Sequence, residues 1–500
     1  MKVVFRVDAS LLIGSGHVMR CLVLADELKR KGHDIVFACT PLESDMRTFI
    51  SERGFVVVNL PEPKQVVVPK HNADYVSWLQ KSVLEDAQDF IATITCADLV
   101  ITDHYAIDRE WQSVVIDSMN CRLFAIDDLA RCHRADLILD QTLGRLETDY
   151  QESNTRALVG SEYALLQPCF SSKRELAVSR TLSSKKPNVL ISMGGIDAPN
   201  ATFEVLNTLH PQINANFTVL LSPRAPNFQQ VAAWCARYSN VTHLEFVSDM
   251  ASLMLKHDIA IGAPGTTSWE RACLGLPNVI VPLADNQKMI CEQLVKHQAT
   301  IKVDLEDISS QVLSGYQMTL NSWEAFKRAN LILCDGRGVK RVAYEVEQLF
   351  SDNNDGYSIE RVKQQDIRLV YEWQCHPETR KYALNTNVPT WDEHQAWMSR
   401  KLQSASDYFY MVVDKGNGNK VGAVRLDRVR PEHYLVSIFV EPNSYGKGIA
   451  SRALEMVDAI HPDVTLHATV LKANLASQKL FQKACYQQTD EETYIRQPIH

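Results

Sequence analysis

The residues best suited to chemistry near the start of this chain fall in one stretch, Asp8-Ala-Ser-Leu-Leu-Ile-Gly14-Ser-Gly16-His17, which continues as Val-Met-Arg-Cys-Leu-Val-Leu-Ala-Asp-Glu-Leu. Cys21, Leu24, Ala25 and Leu28 recur at helical spacing, so His17 falls at a helix N-terminus. Gly14 and Gly16 just before it permit a tight turn and close backbone approach. The positive end of a helix dipole disfavours imidazolium, and a neutral imidazole is a usable general base near pH 7. The plain alternative is a capping or core histidine; a glycine turn at a strand-to-helix junction shifts the balance toward function. A dinucleotide site fits less well. The pattern G-S-G-H-V-M lacks the third glycine, and the next strand, DIVFACT, ends without an acidic residue to hold a ribose.

Two further glycine loops follow strands in the middle of the chain: ISMGGIDAPN, with Gly194 and Gly195, and IGAPGTTSWERACLGLP, with Gly262, Gly265, Thr266 and Thr267. Backbone N–H groups in such loops, together with the helix that starts near Thr267, make a site for pyrophosphate without an obligatory metal. Glu270, one turn into that helix, is placed to accept both hydroxyls of a ribose; a solvated or helix-pairing glutamate is the competing reading. Asn286 and Gln287 follow another strand, where their amides would face the cleft or cap a turn. Asp103, His104, Asp127 and Asp128 match no metal-ligand spacing, so no metal is expected and cleft-lining or structural roles are.

Near the C-terminus, YLVSIFVEPNSYGKGIASRALEMVDAI sets an apolar strand, a turn, a glycine loop and an amphipathic helix in sequence. Gly446 and Gly448 would let N–H groups at the helix start wrap a second pyrophosphate, although a plain turn reads equally well.

These loops need rigid elements to hold them. Over the first 150 residues VVFRV, DIVFACT, DLVITD and RLFAIDD alternate with helical patterns, which predicts a parallel sheet covered on both faces. A second unit of the same kind follows the polar stretch from Ser171 to Pro187: NVLISMGG, NFTVLLS, THLEFV, DIAIGAPG and NVIVPLA, each followed by a helix. Arg337 to Phe350 reads as a closing helix and 351–356 as a linker. Beyond it, YFYMVVD, KVGAVRLDRV, YLVSIFVE and VTLHATV predict a mixed, hairpin-rich sheet. The expected divisions are 1–155, 156–350 and 357–500, two Rossmann-like α/β domains followed by an α+β domain.

Composition narrows the function. Sixty acidic against 52 basic side chains leave a net charge of −8, no footprint for a nucleic-acid backbone. An apolar fraction of 45% with 22% charged residues is that of a globular chain. The longest apolar runs, such as Asn278 to Ala284, are far shorter than the ~18 residues of a membrane span. Arg6 and Asp8 interrupt any signal-peptide core, which predicts a cytoplasmic location. The 12 cysteines contain no C-x-x-C pair and read as small buried side chains.

Taken in order, RVDASLLIGSGHVMRCLVLADEL, TDHYAI, FAIDD, SMGG, GTTSWE with LGLP, and DNQ resemble the UDP-sugar hydrolases of pseudaminic acid biosynthesis over about residues 1–345. That family has a GT-B-like fold related to the lipid II N-acetylglucosaminyltransferase. The resemblance implies hydrolysis of UDP-2,4-diacetamido-2,4,6-trideoxy-β-L-altropyranose to UDP and the free sugar, with His17 as base for water, Tyr105 and Asn286 as catalytic partners, and Glu270 on the nucleotide. The substrate site would comprise Gly14, Gly16, Gly194, Gly195, Gly265, Thr266, Thr267, Glu270 and Gln287. The family's serine-rich loop is GAPGTT here, which leaves the phosphate donors open.

Residues 357–500 are similar to the GNAT acetyltransferases, through N-S-Y-G-K-G-I-A and VTLHATVLKANLASQKLFQKACYQ. Asn443 stands where that family's loop has Gln or Arg. The likeness implies acetyl-CoA as cosubstrate, bound by Ile438, Val440, Tyr445, Gly446, Lys447, Gly448, Ile449, Ala450 and Asn474. Many members place a tyrosine acid where this chain has Phe481, so Ser437 and Tyr486 are the candidates for that role. Together the resemblances imply a bifunctional enzyme that acetylates the 4-amino group of a UDP-sugar and then releases UDP from the product. The expected partners are these small molecules and other enzymes of the pathway, with no nucleic acid or membrane. The rivals are a GT-B glycosyltransferase, and a hydrolase with a non-catalytic, acetyl-CoA-binding regulatory domain.

Overall fold

The computed structural model describes residues 1–65, 67–71, 74–153, 155–182, 186–284, 287–351 and 356–499. They form two compact units, Met1–Leu349 and Phe350–His500.

The first unit holds two parallel sheets. Strands β1 (Lys2–Val7), β2 (Asp34–Cys39), β3 (Val56–Asn59), β4 (Leu99–Asp103), β5 (Arg122–Ile126), β6 (Leu137–Asp140) and β7 (Ala157–Val159) lie in the order β3-β2-β1-β4-β5-β6-β7. Strands β8 (Asn188–Ser192), β9 (Asn216–Leu220), β10 (Val241–Leu244), β11 (Ile259–Gly262), β12 (Asn278–Ile280) and β13 (Ile301–Lys302) lie in the order β10-β9-β8-β11-β12-β13. Both central strands are apolar through their middles because helices cover each sheet face: Val3, Val4, Phe5 and Val7 of β1 and Val189, Leu190 and Ile191 of β8 are buried.

One side chain in β1 breaks that pattern. Arg6 is fully buried, held by Asp8 and Asp86 at 2.7 Å each and by the Thr40 hydroxyl at 3.1 Å, while the Trp111 indole donates to Asp86 at 2.9 Å. A buried guanidinium is tolerable only with such complete pairing.

In each sheet the strand order reverses between two central neighbours, β1 and β4 in the first, β8 and β11 in the second. Loops leaving such a pair diverge and open a crevice at the carboxyl edge. The glycine loops before His17, after β8 and after β11 all leave these switch-point strands.

The expected boundary at 155/156 is corrected. β7 pairs in parallel with β6, Ile138 opposite Ala157, so the first sheet continues to Val159. The helix Gly338–Gln348 also returns to the first sheet's side. Lys340 pairs with Glu27 at 2.9 Å, Lys31 with Glu347 at 2.7 Å, and Arg156 with Glu345.

The second unit is a mixed sheet of β14 (Tyr357–Arg361), β15 (Tyr408–Asp414), β16 (Lys420–Arg430), β17 (His433–Val440), β18 (Thr465–Thr469), β19 (Gln487–Gln488) and β20 (Thr493–Arg496). Its order is β14-β15-β16-β17-β18-β20-β19. β17 and β18 run parallel but pair only from His433 to Leu435, so β17 from Val436 onward has no strand partner on that side among the described residues and the sheet splays. Positions 352–355 of the expected linker lie outside the described residues.

Candidate functional site

The helix Gly16–Arg30 begins where the sequence pattern placed it, and His17 occupies its first turn. The preceding loop is closed on itself: Gly14 N–H donates to the Ser10 carbonyl at 2.9 Å, while the Ser10 hydroxyl accepts from Leu12 and Ile13. Gly14 has φ of 77°, and a Cβ at either Gly14 or Gly16 would point into open space, so the loop leaves room for a ligand beside it.

The orientation of the His17 ring comes from β4. Its Nδ1 lies 2.6 Å from Asp103 Oδ1, and because an ionised carboxylate only accepts, Nδ1 carries the proton. Nε2 makes no hydrogen bond among the described residues. Asp103 is itself clamped by Arg20, whose Nε and Nη2 donate to its two oxygens at 2.6 Å each. Burial alone would raise the Asp103 carboxyl, but the Arg20 charge and the hydrogen bonds from Arg20 and His17 outweigh it and hold the group well below the usual carboxylate range. Asp103 was read from sequence as a cleft or structural residue. The histidine partner was missed because the two are 86 positions apart and only the pairing of β1 with β4 brings their loops together.

Tyr105 stands edge-on to His17, ring centroids 4.6 Å apart, and stacks on Trp78 at 5.4 Å. Burial, together with the nearby Asp128 carboxylate, pushes its phenol far above an ordinary tyrosine. Arg20 also reaches Asp128 at 3.1 Å, so one guanidinium links the carboxylate that orients His17 to the carboxylate near Tyr105. His104 is buried, lowered to about 4 by desolvation, and accepts from the Ala106 amide at 3.1 Å. Asp127 is occupied by Arg131 and by the Tyr150 hydroxyl. No metal-ligand cluster occurs among the described residues.

At the second switch point, Gly194 and Gly195 are exposed and open at Cβ, and Gly265 is half-buried but likewise open at Cβ. The Gly265 amide is already given to the Ser268 hydroxyl at 3.3 Å, which leaves the amides of Thr266 and Thr267, in the first turn of the helix Thr266–Cys273, as the outward donors. Gly262 corrects the sequence reading. A Cβ there would overlap the Ser192 carbonyl of β8, so this glycine serves strand packing rather than phosphate. The Glu270 carboxylate accepts no hydrogen bond among the described residues, and burial, partly opposed by Arg271, pushes it up to about 7. Gln287 is partly spent, its Oε1 accepting from the Leu283 amide at 2.8 Å. Asn286 lies outside the described residues. The two carboxyl edges meet where the Arg224 guanidinium, beyond β9, reaches the Ser10 carbonyl at 3.5 Å.

In the second unit a cavity of about 1240 Å³ opens at the splay of β17 and β18. Ser437, Ile438, Val440 and Tyr445 line it, as do Gly446, Gly448, Ile449, Ala450 and Asn474. Gly446 and Gly448 both have φ of 78° with open space at Cβ, the backbone that brings successive N–H groups to one side. Asn474 caps the helix Leu475–Lys483 through Oδ1, 3.1 Å from Ser477 N. Lys447 is exposed and does not line the cavity.

Tyr486 does not line it either. It is buried with its ring 5.0 Å from Phe481 and its hydroxyl unpartnered, and burial raises the phenol far above its ordinary value. Hydrophobic packing after the last helix turns this tyrosine into the core, so it is withdrawn as the acid. Ser437 does face the cavity, its Oγ 3.3 Å from Arg425 Nη2.

Comparison with known proteins agrees with this division. Residues 189–329 match the glycosyltransferase family 28 C-terminal domain, and residues 358–486 the acetyltransferase (GNAT) domain. An uncharacterized protein of Methanocaldococcus jannaschii is 23% identical, covering 98% of this chain and 97% of its own. The spore coat polysaccharide biosynthesis protein SpsG of Bacillus subtilis is 22% identical over 67% of this chain and 95% of its own. The UDP-2,4-diacetamido-2,4,6-trideoxy-β-L-altropyranose hydrolase of Campylobacter jejuni is 24% identical over 51% of this chain and 81% of its own. Among solved structures, the glycotransferase of kitacinnamycin superposes with a TM-score of 0.53 at 14% identity, over 70% of this chain and 98% of that one, a likeness of fold. The chain is a fusion of a GT-B-like α/β unit, homologous to that hydrolase and to SpsG, with a C-terminal GNAT domain.

Proposed function

We propose that the first unit hydrolyses a UDP-sugar of the 2,4-diacetamido-2,4,6-trideoxy-β-L-altropyranose class, and that the second uses acetyl-CoA to acetylate the 4-amino group of its precursor, UDP-4-amino-4,6-dideoxy-N-acetyl-β-L-altrosamine. The observation that carries the hydrolytic half is the Asp103–His17 pair at the first switch point, with Nδ1–H fixed and Nε2 unengaged. Nε2 takes a proton from water as its oxygen attacks C1; the C1–O bond breaks and UDP departs. Asp103 steadies the imidazolium that forms. The amides of Thr266 and Thr267 meet the charge gathering on the diphosphate, and Glu270 accepts the ribose hydroxyls. UDP leaves readily, so no protonating acid is needed. Tyr105 completes the sugar site, and no metal is called for.

The acetylating half rests on the splayed sheet. Amides of Ile438 to Val440 polarise the thioester carbonyl, and the Gly446–Ala450 turn holds the CoA pyrophosphate. The family 28 match favours a second reading, a glycosyltransferase using the same UDP-sugar. UDP release with water as the only acceptor separates the two. The native chain given acetyl-CoA and the UDP-4-amino sugar is expected to yield free diacetamido sugar and UDP. His17→Ala is expected to accumulate the acetylated UDP-sugar, with UDP release down about 10²- to 10⁴-fold. An absolute need for an added acceptor would defeat hydrolysis.

A further inference from the structure

Acetyl transfer also needs a group to receive the amine's proton, and neither Ser437 nor the withdrawn Tyr486 is a candidate for that role. Resting on the acetyltransferase reading above, we propose that His394 is the general base of the second unit, acting through Nδ1.

His394 lies in the helix Trp391–Leu402 and lines the same cavity as Ser437 and Ile438, beside the strand whose amides are assigned to the thioester. Its Nε2 lies 3.1 Å from the Ile367 carbonyl. A carbonyl only accepts, so Nε2 carries the hydrogen and the neutral ring presents its lone pair at Nδ1. Nδ1 makes no hydrogen bond among the described residues. The walls are aromatic: Tyr371 at 5.1 Å, Trp397 at 5.6 Å and Trp391 at 6.2 Å between ring centroids. Burial among them, with the Arg380 charge adding to it, holds the imidazole below its ordinary value, the deprotonated form a base requires.

The other polar groups around the cavity are less suited. Glu393, on the same helix, spends its carboxylate on the Thr390 amide and hydroxyl at 2.8 and 2.9 Å. Arg425 of β16 lies over Trp397 at 4.8 Å and, like Arg380, has no lone pair to offer. Glu378 and Tyr445 are exposed at the rim, and Tyr445 contacts the Thr379 hydroxyl at 3.3 Å.

In the step, the amine nitrogen bonds to the thioester carbonyl carbon and sheds a proton to Nδ1. The C–S bond then breaks with its electron pair on sulfur, and the imidazolium proton goes to the CoA thiolate, giving amide and CoA–SH.

The test uses the full chain and His394→Gln, whose side-chain N–H can still reach the Ile367 carbonyl while offering no base. Acetylation kcat is expected to fall about 10²-fold or more, with KM for acetyl-CoA within about twofold and partial recovery of His394→Gly on adding free imidazole. Unchanged kcat in a folded His394→Gln chain overturns the assignment. Should that variant not fold, the native chain decides. With a base in place kcat is flat above about pH 6.5, whereas unassisted attack by free amine makes it climb about tenfold per pH unit, which overturns the role. A native chain that acetylates no UDP-amino sugar at any pH overturns the parent reading instead.

Discussion

At the scale of single residues, the proposed hydrolytic site rests on two carboxylates in opposite states. Asp103 is held ionised by Arg20 and His17, and Glu270 is pushed toward its neutral form by burial. Asp103→Asn would offer an N–H to His17 Nδ1 and select the wrong tautomer, so UDP release per folded molecule should fall about 10²- to 10⁴-fold. It would also leave the buried Arg20 guanidinium with Asp128 alone as counter-charge, at a cost of up to about 3–5 kcal/mol, read as a lowered Tm. For Glu270, with a carboxyl near 7, the ionised form that best accepts ribose hydroxyls gains population as pH rises from 6 to 8. UDP affinity measured by calorimetry should therefore strengthen over that range. In Glu270→Gln it should be pH-independent and about tenfold weaker than native at pH 8. The stability linkage has the other sign. A carboxyl raised by folding favours the fold below its unfolded value of 4.5 and loses that contribution as pH passes through about 7. The ligand-free native chain should thus lose more Tm than Glu270→Gln between pH 6 and 8.

At the scale of elements, strand order rather than strand identity makes the site. The sequence marks β1, β2, β4 and β5 by apolar β-branched runs, and β8 to β12 in the same way. It leaves β3, β6, β7 and β13 obscure because they are short, two to four residues, and their pattern merges with the surrounding loops. The close approach of β11 to β8 is likewise invisible until the strands are paired. Gly262 looks like its neighbour Gly265 in the sequence, but one packs against Ser192 while the other borders open space. Gly262→Ala should destabilise the unit by about 1–3 kcal/mol in urea unfolding, through a forced shift of one strand against the other. Gly265, with φ of 148°, tests something different: a side chain there strains the loop that offers Thr266 and Thr267. In the second unit, the register that stops at Leu435 is what frees β17 to present its amides.

At the scale of the whole molecule, two catalytic readings share one chain, and a regulatory role for the second unit predicts a different outcome from catalysis. Gly446→Val places a branched side chain where φ is 78° and the space beside the loop is open to CoA. Acetylation should be lost, while UDP release from substrate already acetylated stays within about twofold of native. A fall in that second rate as well, reversed by nothing the acetylated substrate supplies, would mark the domain as a regulator of the hydrolase.

Local chemistry was decided by sequence alone: glycine turns followed by helix starts, Rossmann-like periodicity repeated twice, a separate mixed sheet, and His17 and Glu270 as side chains in the right setting. Those features depend on backbone freedom and on the 2.0 and 3.6 periods, which act over a few residues. Which side chains meet depends on contacts between distant segments. Only the folded chain could pair His17 with Asp103, join Asp103 to Asp128 through Arg20, turn Tyr486 into the core and set His394 against the cavity, because each results from how strands order and helices pack once the apolar faces are buried.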